Sequence, residues 1–175
     1  MATTGVTAQA HEAKPFLRGV SHQAAAIVAA TLAPLLILKA PGVGPRFIVA
    51  LYAVAVVGLF GVSALYHRGR WGETGLAVMR RLDHSMIFVA IAATYTPIAV
   101  FVFPTRTSVI VLGLVWFGAL VGMALRLFWS GAPYWVVALP YLAVGWVGVV
   151  ALGDIWRGLG AAGFTLIVVG GGLFT

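Results

Sequence analysis

Twenty consecutive residues, Phe47 to Tyr66, carry no charged side chain. As an α-helix such a run is about 30 Å long, the thickness of a bilayer's hydrocarbon core. As a strand it would be about twice the length a membrane barrel uses, and its apolar residues do not alternate. Five further runs share this character, over 22–38, 82–103, 108–129, 134–152 and 159–174. In lipid every backbone N–H and C=O must find its partner inside the protein, so each run is expected to be a helix. The fold class is therefore all-α: a polytopic transmembrane bundle of six spans. A polar amino-terminal segment covers 1–21 and one membrane domain covers 22–175. The first run has a positive flank but a poor Ala-x-Ala exit, and five runs follow it, so it reads as a retained span rather than a cleaved signal.

Composition supports this and excludes other classes. The chain is 62% hydrophobic and 9% charged, with a mean hydropathy of +1.05. Soluble domains carry about 25% charged residues, and disordered chains are polar. The absence of cysteine excludes disulfides, Cys-ligated zinc and thiol chemistry. A net charge of +7 suggests nucleic acid in a soluble protein. Here the basic residues lie between apolar runs, so membrane lipids are the expected partners and no nucleic acid is expected. Protein partners are not specified by the sequence.

Lys and Arg in the loops set the orientation. Lys14, Arg18, Arg68, Arg70, Arg80, Arg81 and Arg126 fall on one side, and Lys39, Arg46, Arg106 and Arg157 on the other. The amino terminus is expected to be cytoplasmic, in a cell (plasma or inner) membrane. Gly118-x-x-x-Gly122 is a small-residue pair of the kind that lets membrane helices approach closely. Pro34, Pro97 and Pro140 fall inside spans, where each removes a backbone donor. The hydroxyls of Thr94, Tyr95 and Thr96 are expected to satisfy backbone groups that Pro97 frees.

Polar groups near a span are costly and point to function. Ser63 and His67 are four apart, on one face of the end of span two. Asp83 and His84 open span three, and the short loop is expected to bring Asp83 and His67 to similar depth. A histidine and a carboxylate there suit a metal, with Asp83 binding directly or through water. Other roles fit the same residues: a helix-end position for His67, an N-cap or an ion pair with Arg80 or Arg81 for Asp83. His22 reads as an interfacial residue at the start of span one.

Ser63-Ala64-Leu65-Tyr66-His67, followed by Asp83-His84-Ser85-Met86-Ile87-Phe88 and Thr94-Tyr95-Thr96-Pro97-Ile98, resembles the haemolysin III family. That family is the bacterial branch of the progestin and adipoQ receptor (adiponectin receptor-like) proteins. Lys14-Pro15-Phe16-Leu17-Arg18-Gly19-Val20-Ser21-His22 resembles its segment before helix one, and Gly171-Gly172-Leu173-Phe174-Thr175 the opening of a late Gly-Gly motif. The resemblance implies a seven-helix pattern, of which this chain is expected to hold six helices. It implies zinc as cofactor, with His67 a ligand, Asp83 facing the zinc or its water as candidate base or water-orienting group, and Ser63 supporting the site by hydrogen bonding. The family's remaining zinc histidines form a His-x-x-x-His on helix seven, so this chain is expected to hold an incomplete site. The activity implied is hydrolysis of lipid amides or esters; a pore-forming or cytolytic protein and a lipid-sensing, receptor-like regulator are the alternatives.

Overall fold

The computed structural model describes residues 19–129, 131 and 133–174. The described residues form six helices: α1 (Val20–Lys39), α2 (Val43–Arg68), α3 (Glu73–Val102), α4 (Thr105–Phe128), α5 (Tyr134–Val150) and α6 (Leu152–Phe174). There is no strand among them. The all-α polytopic bundle expected from the apolar runs is what forms. Five helices are long and apolar enough to cross a membrane: α1 to α4 and the Leu152–Gly170 stretch of α6. The fifth in order is shorter, with an apolar part over Ala138–Val149. Residues 1–18, which carry Lys14, Arg18 and most of the segment before α1, lie outside the described residues.

Two helices begin more than four residues before their apolar runs, each for a physical reason. Helix α3 begins at Glu73 rather than near Leu82. Hydropathy marks only the part of a helix that lies in hydrocarbon. The preceding turns, with Glu73, Arg80 and Arg81, continue the same helix. Its 30 residues make a rod of about 45 Å, enough to cross both headgroup layers. Helix α6 begins seven residues earlier than its apolar run and is broken at Gly160, where φ is 65° and ψ is −173°. That backbone region is open essentially to glycine alone, so two helical pieces meet there.

Successive helices pack side by side, and α3 is the centre. It lies against α2 on one side and α4 on the other, and also touches α5 and α6. Its inner face is made of small residues, with Ala90, Ala92, Ala93 and Ala99 all buried. Phe88 and Phe103 from α3 and its end join Val111, Val115 and Ala119 of α4, Val144 of α5, and Ala151 and Ile155 beyond it in one core. Lipid tails are as apolar as leucine, so this core is held by close packing rather than by exclusion from water. The Gly118/Gly122 pair serves that packing twice. A Cβ at Gly118 would lie 2.4 Å from Val144 Cγ2, and one at Gly122 would lie 2.3 Å from Phe88 Cε1. One small-residue motif therefore seats α5 and α3 on α4 at successive turns. By contrast, α1 buries none of its side chains.

The hydroxyls around Pro97 do something other than expected. Proline at 97 leaves the Ala93 carbonyl without its helical donor. Thr94 Oγ1 donates to Ala90 O at 2.7 Å and Thr96 Oγ1 to Ala92 O at 2.8 Å, so neither bond goes to Ala93. Thr96 Oγ1 also accepts from Trp116 Nε1 of α4 at 3.1 Å, and this second bond fixes its rotamer. Tyr95 reaches α5: its hydroxyl donates to Gly145 O at 3.0 Å and accepts from Gly148 N at 2.9 Å. These polar groups fasten helices to each other more than they repair the proline.

Candidate functional site

The end of the bundle where α2 gives way to α3 carries Arg68, Arg70, Arg80 and Arg81. The last turn of α4, with Arg126, comes to the same end. Arg81 Nη1 donates to Leu127 O of α4 at 3.3 Å, and Arg80 Nε donates to the Tyr66 hydroxyl of α2 at 3.2 Å. Trp71 turns back to donate its indole N–H to Leu65 O at 3.0 Å. An amphipathic indole among arginines is the usual furnishing of a membrane interface.

The strongest polar cluster lies at this end. His22, in the first turn of α1, puts its Nδ1 2.5 Å from Ser63 Oγ on α2. Its ring is edge-on to that of His67, with centroids 5.9 Å apart, and to that of Phe60 at 6.0 Å. Tyr66 packs on His67 with centroids 4.8 Å apart. Ser63 is buried, while His22 and His67 are half-buried. Helix spacing explains two of the members: Ser63 and His67 are one turn apart on α2. The third is placed by Gly19, which caps α1 at φ 85°. A Cβ on Gly19 would lie 2.8 Å from His67 Cβ. Only glycine fits both that left-handed turn and that approach, and the fit brings the first turn of α1 against the last turn of α2.

Ser63 and His67, expected together, are together, and His22 joins them. Sequence reading placed His22 at the interface but gave it no partner. The available signal was Gly19 three residues earlier, an indication of a tight approach without a stated target. Asp83 stands on α3 three turns from its start, where Gly72 is the N-cap. The N-cap alternative for Asp83 therefore falls away. Arg80 and Arg81 bond to Tyr66 and Leu127, and the ion pair found among the described residues is Asp154 with Arg157, at 3.8 Å. A Cβ at Gly58 of α2 would lie 2.8 Å from Met86 Cε of α3, so the tip of the Met86 side chain packs on α2 there. His84 turns back on its own helix, donating from Nδ1 to Arg80 O at 2.8 Å.

A catalytic zinc takes three protein ligands and keeps an open position. Among the described residues no three His, Asp or Glu side chains gather closely enough to hold a metal ion. His22 and His67 supply two imidazoles, and Nδ1 of His22 is taken by Ser63. The described residues by themselves do not make up such a site. What the cluster can do is hold a proton between a hydroxyl and an imidazole.

Spans, interfacial arginines and a part-buried inter-helix hydrogen bond together define a polytopic α-helical membrane protein with a polar cluster at its arginine-rich face. The family model described as haemolysin-III related matches residues 10–175. The chain belongs to that family. It is 30% identical over 125 residues to a protein named hemolysin-3 homolog from Bacillus subtilis (strain 168), a match covering 71% of this chain and 58% of that protein. It is 27% identical over 159 residues to one named hemolysin-3 from Bacillus cereus, covering 89% of this chain and 72% of that one. No solved structure matches the chain.

Proposed function

We propose that this haemolysin III-type membrane protein hydrolyses lipid amides or esters at its arginine-rich face, in the cell membrane, with that face cytoplasmic. The observation that carries the reading is the His22–Ser63–His67 cluster; Asp83, on the neighbouring helix α3, is assigned to the same site as part of the proposal. In this reading that end of the bundle, with Trp71 among its arginines, meets the level of the acyl linkages of a lipid. Four polar groups there are expensive in a chain with four acids and four histidines, and such groups are retained for function. The protein's own residues contribute definite pieces. Ser63 and His22 share a proton, Asp83 is an acceptor one helix away, and the arginines attract an anionic headgroup.

Zinc belongs to this reading as a cofactor that His67 would help to hold. Because the described residues supply fewer than three ligands, no chemical step is assigned to it. Metal analysis of the purified protein tests this part. Stoichiometric zinc that is lost in His67→Ala supports it; a metal-free wild type overturns it. Release of fatty acid from lipid esters and amides in mixed micelles tests the hydrolysis. Activity is expected to fall at least about tenfold in Asp83→Ala, from the loss of an acid–base group. Equal rates with Asp83→Ala and wild type would overturn the assignment.

A further inference from the structure

We propose that the cleft between α3 and the carboxy-terminal end of α4 seats one anionic phospholipid. Its headgroup would lie on Arg81 and an acyl chain along Val78, Leu82, Leu127 and Phe128. The cleft has a volume of 250 Å³ and is lined by those five residues. It is separate from the histidine cluster, which lies between α1 and α2.

Its shape follows from helix periodicity. Val78, Arg81 and Leu82 are three and four apart, so they share one face of α3. Asp83 is two residues from Arg81, about 200° around the helix, and so belongs to another face. The cleft is therefore lined by four apolar side chains and the Arg81 side chain, and by no acid. Phe128 is 87% exposed, Val78 48% and Leu82 39%, so apolar surface at the end of a span is left uncovered by protein. The guanidinium has five N–H donors, and its bond to Leu127 O uses one.

Charge decides which lipid. The end of α4 contributes roughly half a negative charge from its free carbonyls. Arg81 of α3, which lines the cleft, sets one full positive charge against it, and Arg126 lies in the same last turn of α4. The balance is positive, which favours a headgroup with net negative charge over a zwitterionic one. An arginine near the membrane surface is worth about 1 kcal/mol toward an anionic lipid, or about fivefold in affinity.

Native mass spectrometry of the full chain in detergent tests this, with dioleoylphosphatidylglycerol, dioleoylphosphatidylcholine and glycerol 3-phosphate as probes. The expected result is one retained phosphatidylglycerol, bound about fivefold or more tightly than phosphatidylcholine, with glycerol 3-phosphate not retained. Arg81→Gln is expected to abolish the preference and Arg81→Lys to keep part of it. Arg157→Gln, at the opposite end, is expected to leave it intact. Val78→Phe, which fills the cleft without changing charge, is expected to lower phosphatidylglycerol retention, and it serves if Arg81→Gln does not fold. The proposal is overturned by equal retention of the two lipids in wild type. Unchanged selectivity in Arg81→Gln, unchanged retention in Val78→Phe, or glycerol 3-phosphate binding as tightly as the lipid would each overturn it too.

Discussion

Gly122→Ala adds one methyl group to α4 at the point where Phe88 of α3 crosses it. The new Cβ would lie 2.3, 2.5 and 2.6 Å from three atoms of the Phe88 ring, where ordinary contact begins at 3.4 Å. The ring must therefore retreat by about 1 Å. It has little room, because Phe88 is 2% exposed and packs in the core with Ala92, Val115 and Ala119. Overpacking of this kind costs about 1–3 kcal/mol. Alanine in place of glycine in a helix returns about 0.5–1 kcal/mol. The net expectation is a loss of about 1–2 kcal/mol, within the combined range of those two effects. Gly113→Ala on the same helix is the control, since a Cβ there meets nothing within 4 Å. It is expected to be neutral or slightly stabilising. Reversible unfolding in mixed micelles of dodecyl maltoside and dodecyl sulfate, followed by circular dichroism, measures both. Phe88→Leu in the Gly122→Ala background should recover part of the loss. Equal midpoints for Gly122→Ala and Gly113→Ala would refute the packing argument, as would an additive Gly122→Ala/Phe88→Leu pair.

Three other outcomes follow from the hydrogen bonds and the charges. In a double-mutant cycle on unfolding free energy, His22→Ala and Ser63→Ala are expected to couple by about 0.6 kcal/mol, and by no more than about 1.7; zero coupling would show that the pair is not formed in the bilayer. Tyr95→Phe removes one donor and one acceptor that α3 offers to α5, for a loss of about 1 kcal/mol. Faster hydrogen exchange at Gly148 is expected with it, and an unchanged exchange rate would deny the link. Because the chain has no cysteine, single introduced cysteines report topology directly. Arg70→Cys should be shielded from an impermeant maleimide in intact cells and Lys39→Cys labelled; the reverse pattern would overturn the cytoplasmic assignment.

The fold was legible in the sequence wherever the bilayer itself imposes the rule. The unbroken run Phe47–Tyr66 lies inside α2, and the run 108–129 lies within one residue of the end of α4. Lipid forces backbone pairing, so length and polarity suffice. They fail where hydrocarbon ends. The turns of α3 from Glu73 to Arg81 are helical because the chain there has no proline or glycine run to stop it, a matter on which hydropathy is silent. The break at Gly160 is likewise a backbone event inside a continuous apolar run. The prolines at 34, 97 and 140 all remain within helices.

The site was half legible, and the division has a physical basis. Ser63 and His67 share a helix face because four residues are about one turn, so spacing in the chain is spacing in space. His22 is 41 residues from Ser63. What joins them is a helix-packing contact, and packing depends on which atoms are missing as much as on which are present. Gly19 supplies that missing atom: a Cβ there would lie 2.8 Å from His67 Cβ, too close for both to stay. The same logic operates at Gly122 under Phe88, where a hydrogen in place of a methyl group sets how near two helices come. In a bundle held by close approach rather than by exclusion from water, glycines decide which polar residues can meet. Gly19→Ala should therefore act on the cluster from outside it. It is expected to push α1 from α2 and loosen the His22–Ser63 bond, so that the coupling between His22→Ala and Ser63→Ala falls toward zero in its background. A cycle that keeps its full coupling with alanine at position 19 would show that α1 is held against α2 by contacts deeper in the membrane.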